Sequence, residues 1–243
     1  MSDGKMTANW QDHIIKHPSP NFGPRPDGCP IDILVLHYTG MKSGKAALDR
    51  LCDPESSVSC HYMVEEDGRI FQMVEEDKRA WHAGRGKWQD CGDVNSHSIG
   101  IEIVNPGHEF GYRPFPDAQI TSVISLAGDI VARHAIPASR VIAHSDMAPD
   151  RKEDPGELFP WDQLAANGIG LWPEKPVSPT TSEADIKQFD HLLDQIGFGE
   201  DPDIDPIKRV IAFQRHWRAS DISGLVDAEC MAIAKALVDQ MDC

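Results

Sequence analysis

A chain of 243 residues can bury a sizeable core, and 40% hydrophobic with 26% charged residues is the ordinary balance of a globular protein. A formal net charge of −16 opposes association with nucleic acid and with anionic membrane surfaces. No run approaches the roughly 20 apolar residues that span a bilayer, and the polar opening Met1–Trp10 lacks the apolar stretch of a secretory signal.

The expected location is therefore the cytoplasm, with the periplasm as the alternative. Six cysteines, Cys29, Cys52, Cys60, Cys91, Cys230 and Cys243, contain no C-x-x-C pair. They read as free thiols of a reducing compartment rather than as a zinc ribbon or a disulfide framework.

In chain order, Ile31–Leu36 (IDILVL) predicts a strand buried on both faces, with His37 directly at its exit. Ser43–Leu51 suits a short helix. Ser59–Val64 and Arg69–Val74 flank Asp67-Gly68, a pair that favours a hairpin turn. Ser98–Asn105 (SIGIEIVN) alternates Ile99, Ile101 and Ile103 with Gly100, Glu102 and Val104, which puts Glu102 on the face opposite the isoleucines.

After Asp117, an expected N-cap, apolar residues from Ile120 to Val131 mark one face of a helix. Arg140–Ala143 forms a short strand leading into His144. These elements predict an α/β domain over residues 1–175, a mixed central β-sheet flanked by helices. The string WPEKPVSPTT at 172–181 reads as a semi-rigid linker. Residues 182–243 carry three amphipathic patterns, a small all-α three-helix domain.

Three of these residues suggest metal chemistry. Two imidazoles, His37 and His144, and one carboxylate, Asp154, with water completing a tetrahedron, make an open zinc site. Such a site lowers the pKa of its water to about 7. The spacing matches no general zinc motif, and a lone histidine is more often a satisfied buried side chain than a ligand. Glu102 is a proton handler if a groove desolvates it, and an ordinary solvent-facing carboxylate if not. Lys152 either points a cation at a developing oxyanion or only solvates its loop.

Six strings carry a resemblance: SPNFGPRP (Ser19–Pro26), IDILVLHYTG (Ile31–Gly40), SCHYMVEEDGRIFQMV (Ser59–Val74), AWHAG (Ala80–Gly84), SIGIEIVN (Ser98–Asn105) and VIAHSDMAPDRKEDPG (Val141–Gly156). In order and spacing they resemble the zinc-dependent N-acetylmuramoyl-L-alanine amidase family, which includes muropeptide-recycling amidases, phage lysins and animal peptidoglycan recognition proteins. The resemblance implies Zn2+ held by His37, His144 and Asp154, with Glu102 as catalytic glutamate and Lys152 as transition-state lysine. It puts His61 and Tyr62 on a strand bordering the groove and His82 near the substrate peptide. Asn105, Arg85 and Trp81 are further candidate contacts.

The C-terminal strings IKRVIAFQRHW (Ile207–Trp217) and ISGLVDAECMAIAKALV (Ile222–Val238) resemble the peptidoglycan-binding three-helix module. Phe213-Gln214 and the Gly224…Val226-Asp227 element carry that likeness. The same residues also read as purely structural, Phe213 as core and Asp227 as a helix N-cap.

The implied activity is hydrolysis of the amide between the muramyl lactyl group and L-alanine, on soluble anhydro-muropeptides. Alternatives are a wall-directed periplasmic amidase acting on intact peptidoglycan, a non-catalytic peptidoglycan sensor, and a docking protein that regulates another enzyme.

Overall fold

The computed structural model describes residues 14–173, 186–199 and 202–241. The polar opening, Cys243 and residues 174–181 of the linker lie outside the described residues. The chain begins with β1 (Ile15–Lys16), β2 (Phe22–Pro24), β3 (Ile33–Tyr38) and α1 (Gly44–Cys52). There follow β4 (Tyr62–Val64), β5 (Ile70–Gln72), β6 (Lys78–Ala80), α2 (Val94–His97), β7 (Ser98–Ile103), α3 (Gly107–Phe110) and α4 (Asp117–His134). Then come β8 (Val141–Ala143), α5 (His144–Met147), α6 (Trp161–Ala165), α7 (Ile186–Ile196), α8 (Pro206–Trp217) and α9 (Ala228–Met241).

Among the described residues six strands form one sheet in the order β1-β5-β4-β7-β3-β8, and β2 pairs separately with β6. Every pairing in the large sheet is parallel except that of β4 with β5, so it is mixed and mostly parallel. The exception is the expected hairpin. Its turn closes through Gly68 N–H donating to Glu65 O, with Gly68 at φ 86°, a left-handed position that glycine fills without strain.

The strand β3 runs two residues further than its apolar run suggests. His37 lies inside it, paired in register with Glu102 of β7, rather than beyond its end. Ladder hydrogen bonds extend the strand past the point where hydrophobicity stops marking it.

Alternation sorts the side chains of β3 and β7 onto two faces. Leu34 and Leu36 of β3, with Ile99, Ile101 and Ile103 of β7, join the cluster under α4. Ile33 and Val35 point the other way, into a cluster built with Phe189, Leu193, Phe213 and Leu237 from the C-terminal helices. His37 and Glu102 share that second face by their place in the alternation.

The helix α4 begins at Asp117 itself, with Pro116 preceding it and no side-chain cap. Asp117 thus sits in the first turn, where its charge opposes the helix dipole favourably. Buried Gln119 ties the helix to the sheet by donating to the carbonyls of Val64 and Val104 at 3.0 and 2.9 Å. Ser43 caps α1 as a hydroxyl should, accepting from Ala46 N–H.

The C-terminal helices pack directly on the sheet. His216 of α8 makes a buried 2.7 Å contact with Asp146 of α5, and the Trp217 indole donates to Leu171 O at 3.0 Å. The motif residues of this region hold the helices together. Phe213 is fully buried, Gln214 bridges Gly224 and Leu225, and Asp227 accepts from Cys230 N–H at the start of α9. The described cysteines are all free thiols, and no described helix is long and apolar enough to cross a membrane.

Candidate active site

His37 comes from β3, His144 from the first residue of α5, and Asp154 from the loop that follows α5. Their ligand atoms converge. His37 Nδ1 lies 2.8 Å from His144 Nδ1, and each of these nitrogens lies 3.0 Å from Asp154 Oδ2. All three residues are buried.

The outer nitrogens explain why these atoms face one another. His144 Nε2 sits 3.0 Å from the Ala83 carbonyl, which can only accept, so Nε2 carries the proton and Nδ1 is bare. His37 Nε2 meets His82 Nδ1 at 3.0 Å, His82 Nε2 meets Ser98 Oγ at 3.2 Å, and Ser98 Oγ donates to Val94 O at 2.6 Å. Because the chain ends on a carbonyl, each link donates in the same direction, which leaves His37 Nδ1 bare as well.

Two lone pairs and a carboxylate oxygen thus point at one spot with no proton between them. Donors placed about 2.0–2.1 Å from a tetrahedral zinc lie about 3.3 Å apart, close to the observed triangle. The residues fit a zinc ion.

The electrostatics agree. Burial, and then His144, lower the His37 pKa to about 4, which keeps the imidazole neutral as a ligand must be. Burial pushes the Asp154 carboxyl up, but the adjoining His144 and His37 outweigh it and hold it below the usual carboxylate range.

Glu102 faces the same groove, which is also lined by His82, His144, Lys152 and Asp154 and holds about 530 Å³. Burial, reinforced by Asp154, raises the Glu102 pKa well above its ordinary value, against the pull of Lys152. Its Oε2 is buried with no hydrogen-bond partner among the described residues. Lys152 lies on the groove lining, and its charge acts on both Glu102 and His37.

The other expected contacts divide. His82 reaches the groove, stacked over Gly100, where a Cβ would stand 2.5 Å from the ring. Only glycine admits that approach. His61 is fully buried behind His82; its Nδ1 accepts from Gly100 N–H and its Nε2 faces Lys78 O. Tyr62 turns to the opposite side of the sheet edge and donates to Glu76.

Asn105 is buried too, bonding Arg113 O and Gly107 N–H while its own carbonyl accepts from Gly40 N–H. Neither His61, Tyr62 nor Asn105 is on the groove lining, and Arg85 and Trp81 are not either. A residue's strand can be read locally, but which of two faces meets the groove depends on packing.

Sequence reasoning missed two contributions. Asn95 Oδ1 accepts from both His82 N–H and Ala83 N–H, fixing the corner that meets the outer nitrogens of His37 and His144. Lys208, Ile211 and Arg215 of α8 line one side of the groove. No local signal marks either role.

A mostly parallel α/β sheet with a buried His-His-Asp group beside a groove, able to hold a metal ion, defines the class of fold and site. A family profile described as N-acetylmuramoyl-L-alanine amidase matches residues 27–157. N-acetylmuramoyl-L-alanine amidase AmiD of Escherichia coli K12 is 39% identical over an alignment 236 positions long that covers 86% of this chain and 83% of that protein. The structure of AmiD from E. coli in complex with anhydro-N-acetylmuramic acid-L-Ala-D-gamma-Glu-L-Lys superposes with TM-score 0.79 at 38% identity, covering 88% of this chain and 92% of that one.

AmpDh3 of Pseudomonas aeruginosa gives TM-score 0.79 at 28% identity over 93% of this chain and 96% of that one. The 1,6-anhydro-N-acetylmuramyl-L-alanine amidase AmpD of Haemophilus influenzae is 33% identical but matches only 61% of this chain, with 89% of its own length. The chain belongs to the N-acetylmuramoyl-L-alanine amidase family, which is in general zinc-dependent.

Proposed function

We propose that the chain is a zinc amidase that hydrolyses the lactyl–L-alanine amide of muropeptides, with soluble anhydro-muropeptides as its substrates. The observation that carries this reading is the convergence of two bare Nδ1 atoms and one carboxylate oxygen, 2.8–3.0 Å apart, beside the desolvated Glu102. The anhydro-muramyl compound bound to the E. coli relative and the 1,6-anhydro substrate named for the H. influenzae relative support the substrate class.

His37, His144 and Asp154 would hold the metal, and a zinc ion there would supply Lewis acidity and lower the pKa of a water. The Glu102 carboxylate, on the lining of the groove, takes the proton from the attacking water. The same carboxyl returns that proton to the departing amine of L-alanine. The Lys152 ammonium faces the carbonyl oxygen as charge develops on it. His82 and Asn95 hold the ligands in place and touch no reacting atom.

The test is Glu102→Gln. It should retain one equivalent of zinc and lose turnover by about 100- to 10,000-fold on an anhydro-muropeptide, with the released stem peptide quantified by mass spectrometry. Normal turnover by the zinc-loaded variant would remove Glu102 from this role. Release of peptide from intact sacculi at a rate equal to that from soluble fragments would make the enzyme wall-directed and shift its expected compartment to the periplasm.

A further inference from the structure

The groove is cationic on one side, in an acidic molecule. Across the whole chain 39 Asp and Glu outnumber 23 Lys and Arg. On the groove lining the order reverses, with Lys and Arg in slight excess. Of the four acids there, Glu102 and Asp154 belong to the chemistry, Asp150 is paired with Arg85, and Glu153 stands 3.6 Å from Arg215.

On α8 the contributors Lys208, Ile211 and Arg215 stand at i, i+3 and i+7, a single helical face spanning about 10 Å. Lys208 is exposed and takes part in no salt bridge among the described residues. Arg215 is only 7% exposed, yet its Nε has no hydrogen-bond partner among the described residues. Its nearest carboxylates, Glu153 and Glu157, stand at 3.6 and 3.5 Å, beyond hydrogen-bond contact. A buried guanidinium is stable only when its donors are used. This one borders the groove while its two ion pairs, to Glu153 and Glu157, are stretched beyond hydrogen-bond length.

We propose that α8 is a carboxylate-reading wall: Lys208 and Arg215 receive the free carboxylates of an acidic peptide whose first amide is held at the metal. The inference rests on the amidase reading above and extends it to substrate selection. A γ-linked glutamate uses its side-chain carboxyl in the peptide bond and leaves its α-carboxylate free, and the compound bound to the E. coli relative contains D-gamma-Glu. That carboxylate and the terminal one lie downstream of the scissile bond. The family profile ends at residue 157, so the α8 wall lies outside the part that the whole family shares.

The experiment uses the zinc-loaded full chain and two anhydro-muramyl tripeptides, one with both carboxylates free and one with both converted to carboxamides. The wild-type protein should favour the acidic peptide in kcat/KM by about tenfold or more, the scale of charge-assisted hydrogen bonds. Arg215→Gln and Lys208→Gln should each reduce that preference several-fold, chiefly through KM, and Arg215→Lys should restore part of it. Lys208 is exposed, so Lys208→Gln keeps the test decisive if Arg215→Gln fails to fold.

An equal preference in wild type and Lys208→Gln/Arg215→Gln, or none in wild type, would overturn the wall while cleavage of either peptide upheld the amidase. If wild type cleaved neither peptide, the amidase reading would fall and the wall with it.

Discussion

His82 touches no reacting atom, yet its ring decides which nitrogen of His37 is bare. Replacing it with alanine should weaken zinc binding about 10- to 100-fold, the usual effect of losing an outer partner of a metal histidine, as read by competition with a chromophoric chelator. Glu76 offers a separate acid-sensitive point. Burial raises its carboxyl, but hydrogen bonds from Arg133, His134 and Tyr62 overcome that and bring it down to about 2.

A folded-state pKa below the unfolded one stabilises the protein above the unfolded value and is lost as pH falls through the folded one. Glu76 therefore contributes at neutral pH, at most about 3 kcal/mol, and that contribution fades between about pH 4.5 and pH 2. Urea melts of metal-free protein should show Glu76→Gln less stable than wild type at pH 7, with the gap closing towards pH 2. The strands that carry or precede His37, Glu102 and His144 were legible in sequence from their apolar patterns, whereas the roles expected of these three residues came from the family resemblance. The place of His61 was not legible, since its ring turns to Gly100 N–H behind His82 rather than to the groove.

At the scale of elements, α8 is tied to the short helix that begins with His144. Asp146 Oδ2 accepts from Ala143 N–H at 2.8 Å and meets His216 Nδ1 at 2.7 Å, so one buried carboxylate anchors both the turn that presents His144 and the helix that walls the groove. Breaking such a pair leaves a charge without its partner. His216→Phe, which keeps an aromatic ring in place, should lower the unfolding free energy by about 3 kcal/mol or more in urea titrations. The helices themselves were readable from their periodicity. Their placement against the His37 face was not, because contacts between residues more than a hundred positions apart leave no local pattern.

For the whole molecule, one apolar cluster runs from Ile33, Val35 and Ile142 of the sheet through Met147 to Phe189, Phe213 and Leu237. We expect a chain ended at Pro173 to expose the sheet side of that cluster, a patch large enough to drive association. Light scattering and dye binding should then show aggregation that the full chain lacks. The boundary drawn near residue 175 follows a real change in composition, but a proline-rich string reports how the backbone connects, not whether the parts on either side share a core.

The same anchoring places a chromophore beside it. The His216 imidazole lies between two indoles, 3.8 Å from the ring centre of Trp161 and 3.7 Å from that of Trp217. Departure of α8 from the sheet would part His216 from Trp161 of α6 while Trp217 travels with it, so the emission of Trp161 reports whether the helix is docked without an added label.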